Sequence, residues 1–181
     1  MIPYTVEQFT ADISREEYVA RFRDGERFMA CCRECPNYGQ SWGCPPFSFD
    51  PAEYLRQWTD VRLVAVKITP AEEGLPLGCS QELVRPERMR VERMQLDWER
   101  RYGGRSFAYV GRCLYCDSCT RPAGQPCRHP ELVRPSLEAF GFDIGATLAE
   151  LFGIELLWGH DNRLPAYLTL VSGFFHNSEL P

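Results

Sequence analysis

Apolar and polar positions divide the chain into stretches of helical and of extended period. Ser14-Arg-Glu-Glu17 is a capping box, in which the Ser hydroxyl and the Glu carboxylate satisfy free N–H groups at a helix start. It opens a helix that runs through Tyr18 and Phe22 and is expected to stop at Gly25. Asp50-Pro51-Ala-Glu53 repeats the signal, with Asp at the cap and Pro at the first helical position, and predicts a short helix to about Trp58. Val61 to Thr69, rich in Val, Leu and Ile, reads as a buried strand. Pro86 is expected to start the longest helix, where Val91, Met94, Trp98 and Tyr102 recur at three- and four-residue steps and arginines and glutamates fill the other face. That stripe is core packing in character, and Gly103-Gly104 ends it. Ser106 to Val110 predicts a strand, Asp143 to Phe152 a helix closed by Gly153, and Ile154 to Trp158 and Pro165 to Val171 two more strands. Helices alternating with apolar strands give an α/β fold, a small sheet with helical cover.

Composition narrows the picture. With 181 residues, 44% of them hydrophobic, the chain can bury one ordinary core, so a single domain over 1–181 is expected. A net charge of -5 gives no long-range attraction to nucleic acid or to an acidic membrane surface. No low-complexity tract or fixed-period repeat is present. The N-terminal stretch has no basic segment followed by an apolar core, and no apolar run has spanning length. A cytoplasmic protein is expected, in which thiols stay reduced and cysteine groups read as metal or redox sites. The odd count of nine cysteines also argues against a closed disulfide framework.

The cysteines carry the candidate chemistry. Cys113, Cys116 and Cys119 follow at successive three-residue steps, and Cys127 stands eight residues further on. Three such steps plus a remote fourth thiol suit the corners of a [4Fe–4S] cluster, whereas structural zinc more often takes two pairs from separate knuckles. Earlier in the chain, in a loop expected after the first helix, Cys31, Cys32 and Cys35 lead through Tyr38, Gly39 and Trp42 to Cys44-Pro-Pro46, so the fold is expected to carry two cysteine-rich metal-binding loops. Cys79 stands alone between the groups. Any single thiol would pass for a small buried residue, but the set is poorly explained that way.

Four thiolates around zinc or an oxidised cubane leave a net charge near -2, which burial penalises. Arg112, Arg121 and Arg128 flank the later group and either answer that charge or stand solvated in polar loops. His129 is a candidate proton relay or replacement ligand, though a loop histidine before proline is more often neither. If only Cys32, Cys35 and Cys44 bind, one iron of a second cluster stays open. If Cys31 or Cys79 completes the set, the chain is a two-cluster protein. Adjacent side chains diverge along an extended backbone, which makes Cys79 the better fourth candidate.

The motifs Cys-x2-Cys-x2-Tyr38-Gly39-x2-Trp42-x-Cys44-Pro-Pro and Gly111-x-Cys113-x2-Cys116-x2-Cys119, with Cys127-Arg-His-Pro130 and Arg134-Pro-Ser136-x-Glu138-Ala-x-Gly141, resemble an uncharacterised bacterial and archaeal family. Its members are described only as predicted metal-binding proteins. The resemblance runs from about Cys32 into the final strand and implies Cys32, Cys35 and Cys44 as the recurrent cysteines of the first motif. It implies no catalytic residue.

Two functions follow from the residues. One is an iron–sulfur protein with one or two clusters, acting in electron transfer or as a small reductase or ligand-activating component that meets a redox partner protein. The other is a zinc-stabilised protein-interaction module without chemistry. No dinucleotide fingerprint, P-loop or Ser/His/Asp arrangement is present: Gly103-Gly104 lacks the further glycines, and the three histidines have no evident nucleophile partner.

Overall fold

A computed structural model describes residues 2–107 and 113–181. Its frame is a four-stranded sheet in the order β1-β2-β4-β3, formed by β1 (Tyr4–Ser14), β2 (Asp60–Pro70), β3 (Arg105–Phe107) and β4 (Leu168–His176). Every pairing is antiparallel, with Tyr4 opposite Pro70, Asp60 opposite His176 and Arg105 opposite Phe175. The central strand β2 is almost continuously apolar because both its faces are covered. Val61, Leu63 and Ala65 join a cluster with Tyr18, Phe140, Phe142, Leu148 and Phe175. Val64, Val66 and Ile68 join a second cluster with Leu83, Val91 and Leu164.

Five α-helices are present among the described residues, and the chain is α/β as expected. In α1 (Arg15–Phe22) the Ser14 hydroxyl accepts the Glu17 N–H at 3.1 Å, the cap read from the sequence. Gly25 does not stop a helix but begins the next one, α2 (Gly25–Glu34), where the Asp24 side chain caps the Arg27 N–H at 3.0 Å. Its start is fastened to the turn at residues 138–142. Asp24 N–H donates to Gly141 C=O at 2.8 Å, and the Arg23 guanidinium donates to Phe140 C=O at 2.8 Å. Gly141, at φ +91, lies so close that a Cβ there would stand 2.7 Å from Gly25 Cα. The approach needs glycine at 141.

The helix capped by Asp50, α3 (Pro51–Leu55), ends before Trp58, which turns into the core instead. The longest helix, α4 (Ser80–Tyr102), starts six residues before Pro86. Proline there forfeits only the bond to the Glu82 carbonyl, and Leu83 and Val91, buried on the sheet, hold the helix on both sides. Gly103 ends it, and a Cβ on Gly104 would stand 2.3 Å from Phe175 O, so the tight passage into β3 requires glycine. The expected continuation of β3 to Val110, with Arg112, lies outside the described residues. Asp143 caps α5 (Ile144–Phe152) and a left-handed Gly153 closes it. Ile154 to Trp158, expected as a strand, is not one: Ile154 packs into the core while Trp158 is 70% exposed. The last strand begins at Leu168, later than expected. Among the described residues no helix is long and apolar enough to cross a membrane.

Candidate metal centre

The first cysteine group, expected in a loop, begins on a helix. Cys31 and Cys32 lie near the end of α2, and Cys35 caps it, its N–H donating to Cys32 C=O at 3.1 Å. Tight turns follow, with Tyr38 N–H on Cys35 C=O at 3.0 Å, Gly39 N–H on Pro45 C=O at 2.8 Å and Cys44 N–H on Ser41 C=O at 3.0 Å. They fold the chain back so that Cys32, Cys35 and Cys44 line one cavity of about 140 Å³, together with Tyr38, Cys113 and Glu138. Burial pushes the Cys32 thiol up to about 11, and Cys35, Cys44 and Glu138 add to the shift. Burial raises Cys44 as well, against a hydrogen bond from Ser41 and the charge of Arg121. A bound cation inverts this balance, since coordination holds thiols deprotonated.

Glu138 opens the 3-10 turn Glu138–Phe140 that fastens α2. The residue is partly buried, and its Oε2 is sealed from solvent with no hydrogen-bond partner among the described residues. Desolvation lifts the carboxyl to about 7, opposed by its own backbone N–H and the Ser136 hydroxyl.

The later group lines a cavity of about 380 Å³, formed by Cys113, Cys116, Cys119 and Cys127 with Trp42, Tyr115, Arg128 and His129. All four thiols are half-buried. The His129 backbone N–H donates to Cys127 Sγ at 3.4 Å. Burial raises the Cys113 thiol, and Glu92, Cys127 and Cys116 add to it against a backbone N–H from Tyr115. Cys113 lines both cavities, so the two sites share a wall.

Four side chains lock this arrangement. Arg121 donates to the carbonyls of Ser41, Cys44 and Pro46, and its guanidinium lies 5.3 Å from the Trp42 ring. Trp42 in turn donates from Nε1 to Thr120 Oγ1 at 3.3 Å and Gln125 C=O at 3.2 Å. Beneath the later loop, Tyr115 donates its hydroxyl to Glu92 on α4 at 2.5 Å, and Arg134 forks onto Glu99 at 2.6 and 2.7 Å. Arg121 is therefore a clamp between the motifs, and Arg128 donates to Ser118 C=O at 3.0 Å across its own loop. His129 lines the larger cavity, with Nδ1 3.8 Å from the Glu131 carboxylate.

Cys79 is not brought to this centre. It ends the 3-10 turn Leu77–Cys79 and packs against the second hydrophobic cluster, under α4, where it lines neither cavity. Cys31 lies exposed on α2 and lines neither cavity. Sequence reasoning missed Glu138, Tyr115, Glu92 and Arg134 as parts of the centre. A signal existed for Glu92, which stands four residues before apolar, buried Leu96 on one face of the helix.

Among the described residues no three Cys, His, Asp or Glu side chains converge closely enough to hold a single ion as they stand. The donor chemistry nonetheless fits a metal group: seven thiols line two adjoining cavities, with Glu138 lining one and a backbone N–H on sulfur in the other. Fold and site together define a small α/β protein, seven of whose cysteines line two adjoining cavities. The chain belongs to the DUF2284 family of predicted metal-binding proteins, whose model matches residues 19–172. No curated protein and no solved structure matches it.

Proposed function

We propose that Cys113, Cys116, Cys119 and Cys127 hold a [4Fe–4S] cluster, that Cys32, Cys35 and Cys44 form a second metal site, and that the protein works in electron transfer or as a small reductase or ligand-activating component. The observation that carries this reading is the ring of four thiols around a cavity of about 380 Å³. A cluster takes one thiolate at each of its irons, so its ligands stand further apart than those of a single ion. When bound, such a cluster supplies one-electron transfer, and an iron without a protein ligand supplies a Lewis-acid position.

The surrounding residues have definite tasks. The His129 N–H orients the Cys127 sulfur, Arg121 fixes the backbone around Cys44, and the Tyr115–Glu92 bond fixes the later loop on α4. The nine cysteines stand free of disulfides, in keeping with a reducing cytoplasm. The half-buried thiols and exposed Trp42 leave the centre within reach of a redox partner protein.

Anaerobic purification with iron, sulfide and zinc counts tests the reading. Brown protein with sulfide matching iron is expected. Colourless protein with stoichiometric zinc and no sulfide overturns it and makes the chain a zinc-stabilised interaction module.

A further inference from the structure

We propose that the Glu138 carboxylate supplies the fourth ligand of the metal site formed by Cys32, Cys35 and Cys44. The inference rests on the reading of those three cysteines as metal ligands and adds the group that completes them. Three thiolates leave a tetrahedral ion or one corner of a cluster short of a donor. Neither remaining thiol of that half of the chain lines the cavity: Cys79 heads α4 and packs on the second hydrophobic cluster, and Cys31 is absent from the lining. Cys113 shares the cavity, but it also lines the larger one with Cys116, Cys119 and Cys127, the set assigned to the cluster. Glu138 is the carboxylate that lines the cavity with Cys32, Cys35 and Cys44.

Glu138 meets what a ligand needs. It lines the cavity with the three thiols, and its Oε2 is sealed from solvent with no hydrogen-bond partner among the described residues. The nearby guanidinium of Arg134, which lines the same cavity, is committed to Glu99 through two bonds of 2.6 and 2.7 Å. A buried acceptor oxygen without donor or cation is costly, and a metal ion held by the three thiolates would answer it. The backbone also presents the carboxylate on purpose-built geometry. Asp24 N–H on Gly141 C=O, with the glycine-to-glycine approach of residues 25 and 141, sets the end of α2 against the turn that carries Glu138. An oxygen donor among thiolates is the harder and more readily exchanged ligand, so this corner is where a small external oxygen or nitrogen donor would enter.

The test compares Glu138→Gln, Glu138→Cys and Cys32→Ser with the unaltered chain, all prepared anaerobically with full metal loading. Metal per chain, release to a chelator and thermal midpoints with and without metal are measured. Glu138→Gln is expected to release first-site metal about tenfold faster or more, and Glu138→Cys to retain it. The midpoint of Glu138→Gln should fall below that of the unaltered chain when loaded, but equal or exceed it when metal-free, since the unpartnered charge is then gone. A purely structural glutamate would lower both midpoints, and that result overturns the assignment. Loss of metal in Cys32→Ser beside unaltered retention in Glu138→Gln overturns the ligand assignment alone. Unaltered metal in Cys32→Ser overturns the first metal site itself and Glu138 with it.

Discussion

Glu92 sits under the later cysteine loop, almost wholly buried on α4, where it accepts the Tyr115 hydroxyl. Burial lifts its carboxyl to about 7, although the Tyr115 hydrogen bond and Arg88 pull the other way. Its unfolded counterpart ionises at about 4.5, so the folded chain keeps a proton that the unfolded chain has lost. The stabilisation is complete below about pH 4.5 and disappears as the pH rises through about 7. Metal-free protein should therefore lose urea resistance between about pH 5 and about pH 7.5, and Glu92→Gln should remove its share of that loss, Glu138, also lifted to about 7, keeping the rest. A midpoint that rises over the same interval would show the opposite linkage. The sequence placed glutamates and arginines of this helix on a solvent face, yet Arg88, Glu92 and Gln95 turn inward with Val91. Period alone cannot see this, because the partner that makes Glu92 tolerable, Tyr115, lies in another segment.

Helix ends were legible because their causes are local. Ser14, Asp50 and Asp143 cap the helices they announce, and Gly103 and Gly153 close theirs. Elements made by distant partners were not. The strand β1 exists through pairing with β2, and among its hydrophobic residues Phe9 and Ile13 pack on the first cluster from partly buried positions. Residues 154–158 are apolar enough for a strand but pair with no neighbour among the described residues. Arg121 belongs to the same scale, since its three carbonyl acceptors lie more than seventy residues away. Arg121→Ala should cost about 1.5–3 kcal/mol in chemical denaturation and loosen both motifs. Arg121→Lys should rescue little of it, because an ammonium keeps the charge and loses the planar fork. Full rescue by lysine would reduce the clamp to simple charge.

At the scale of the molecule, the chain divides its labour between a sheet packed on both faces and a thiol-rich end tied on by a few polar contacts. The cysteine spacing identified both groups, and the docking of one on the other came only with the fold. It likewise took the fold to remove Cys79, since a thiol that fits a hydrophobic cluster looks identical in sequence to one that fits a metal. Metal removal should therefore act regionally. Amides of residues 36–46 and 113–133 are expected to exchange about tenfold faster or more in the metal-free protein, while those of β2 keep their protection. Uniform loss of protection across β2 would mean that the metal holds the whole fold.

Successive residues of a helix point about 100° apart, so by placing Cys31 and Cys32 on α2 the chain turns one thiol into the cavity and its neighbour out to water. Cys31 is thus a chemical handle beside the centre that is not part of it. In air, two chains should cross-link through Cys31 into a reductant-sensitive dimer on a non-reducing gel, and Cys31→Ser should abolish it without altering metal content. A dimer that survives that substitution would point to a different surface thiol. The same position accepts a maleimide reporter, which would let the last turn of α2 announce events at Cys32 from one side chain away.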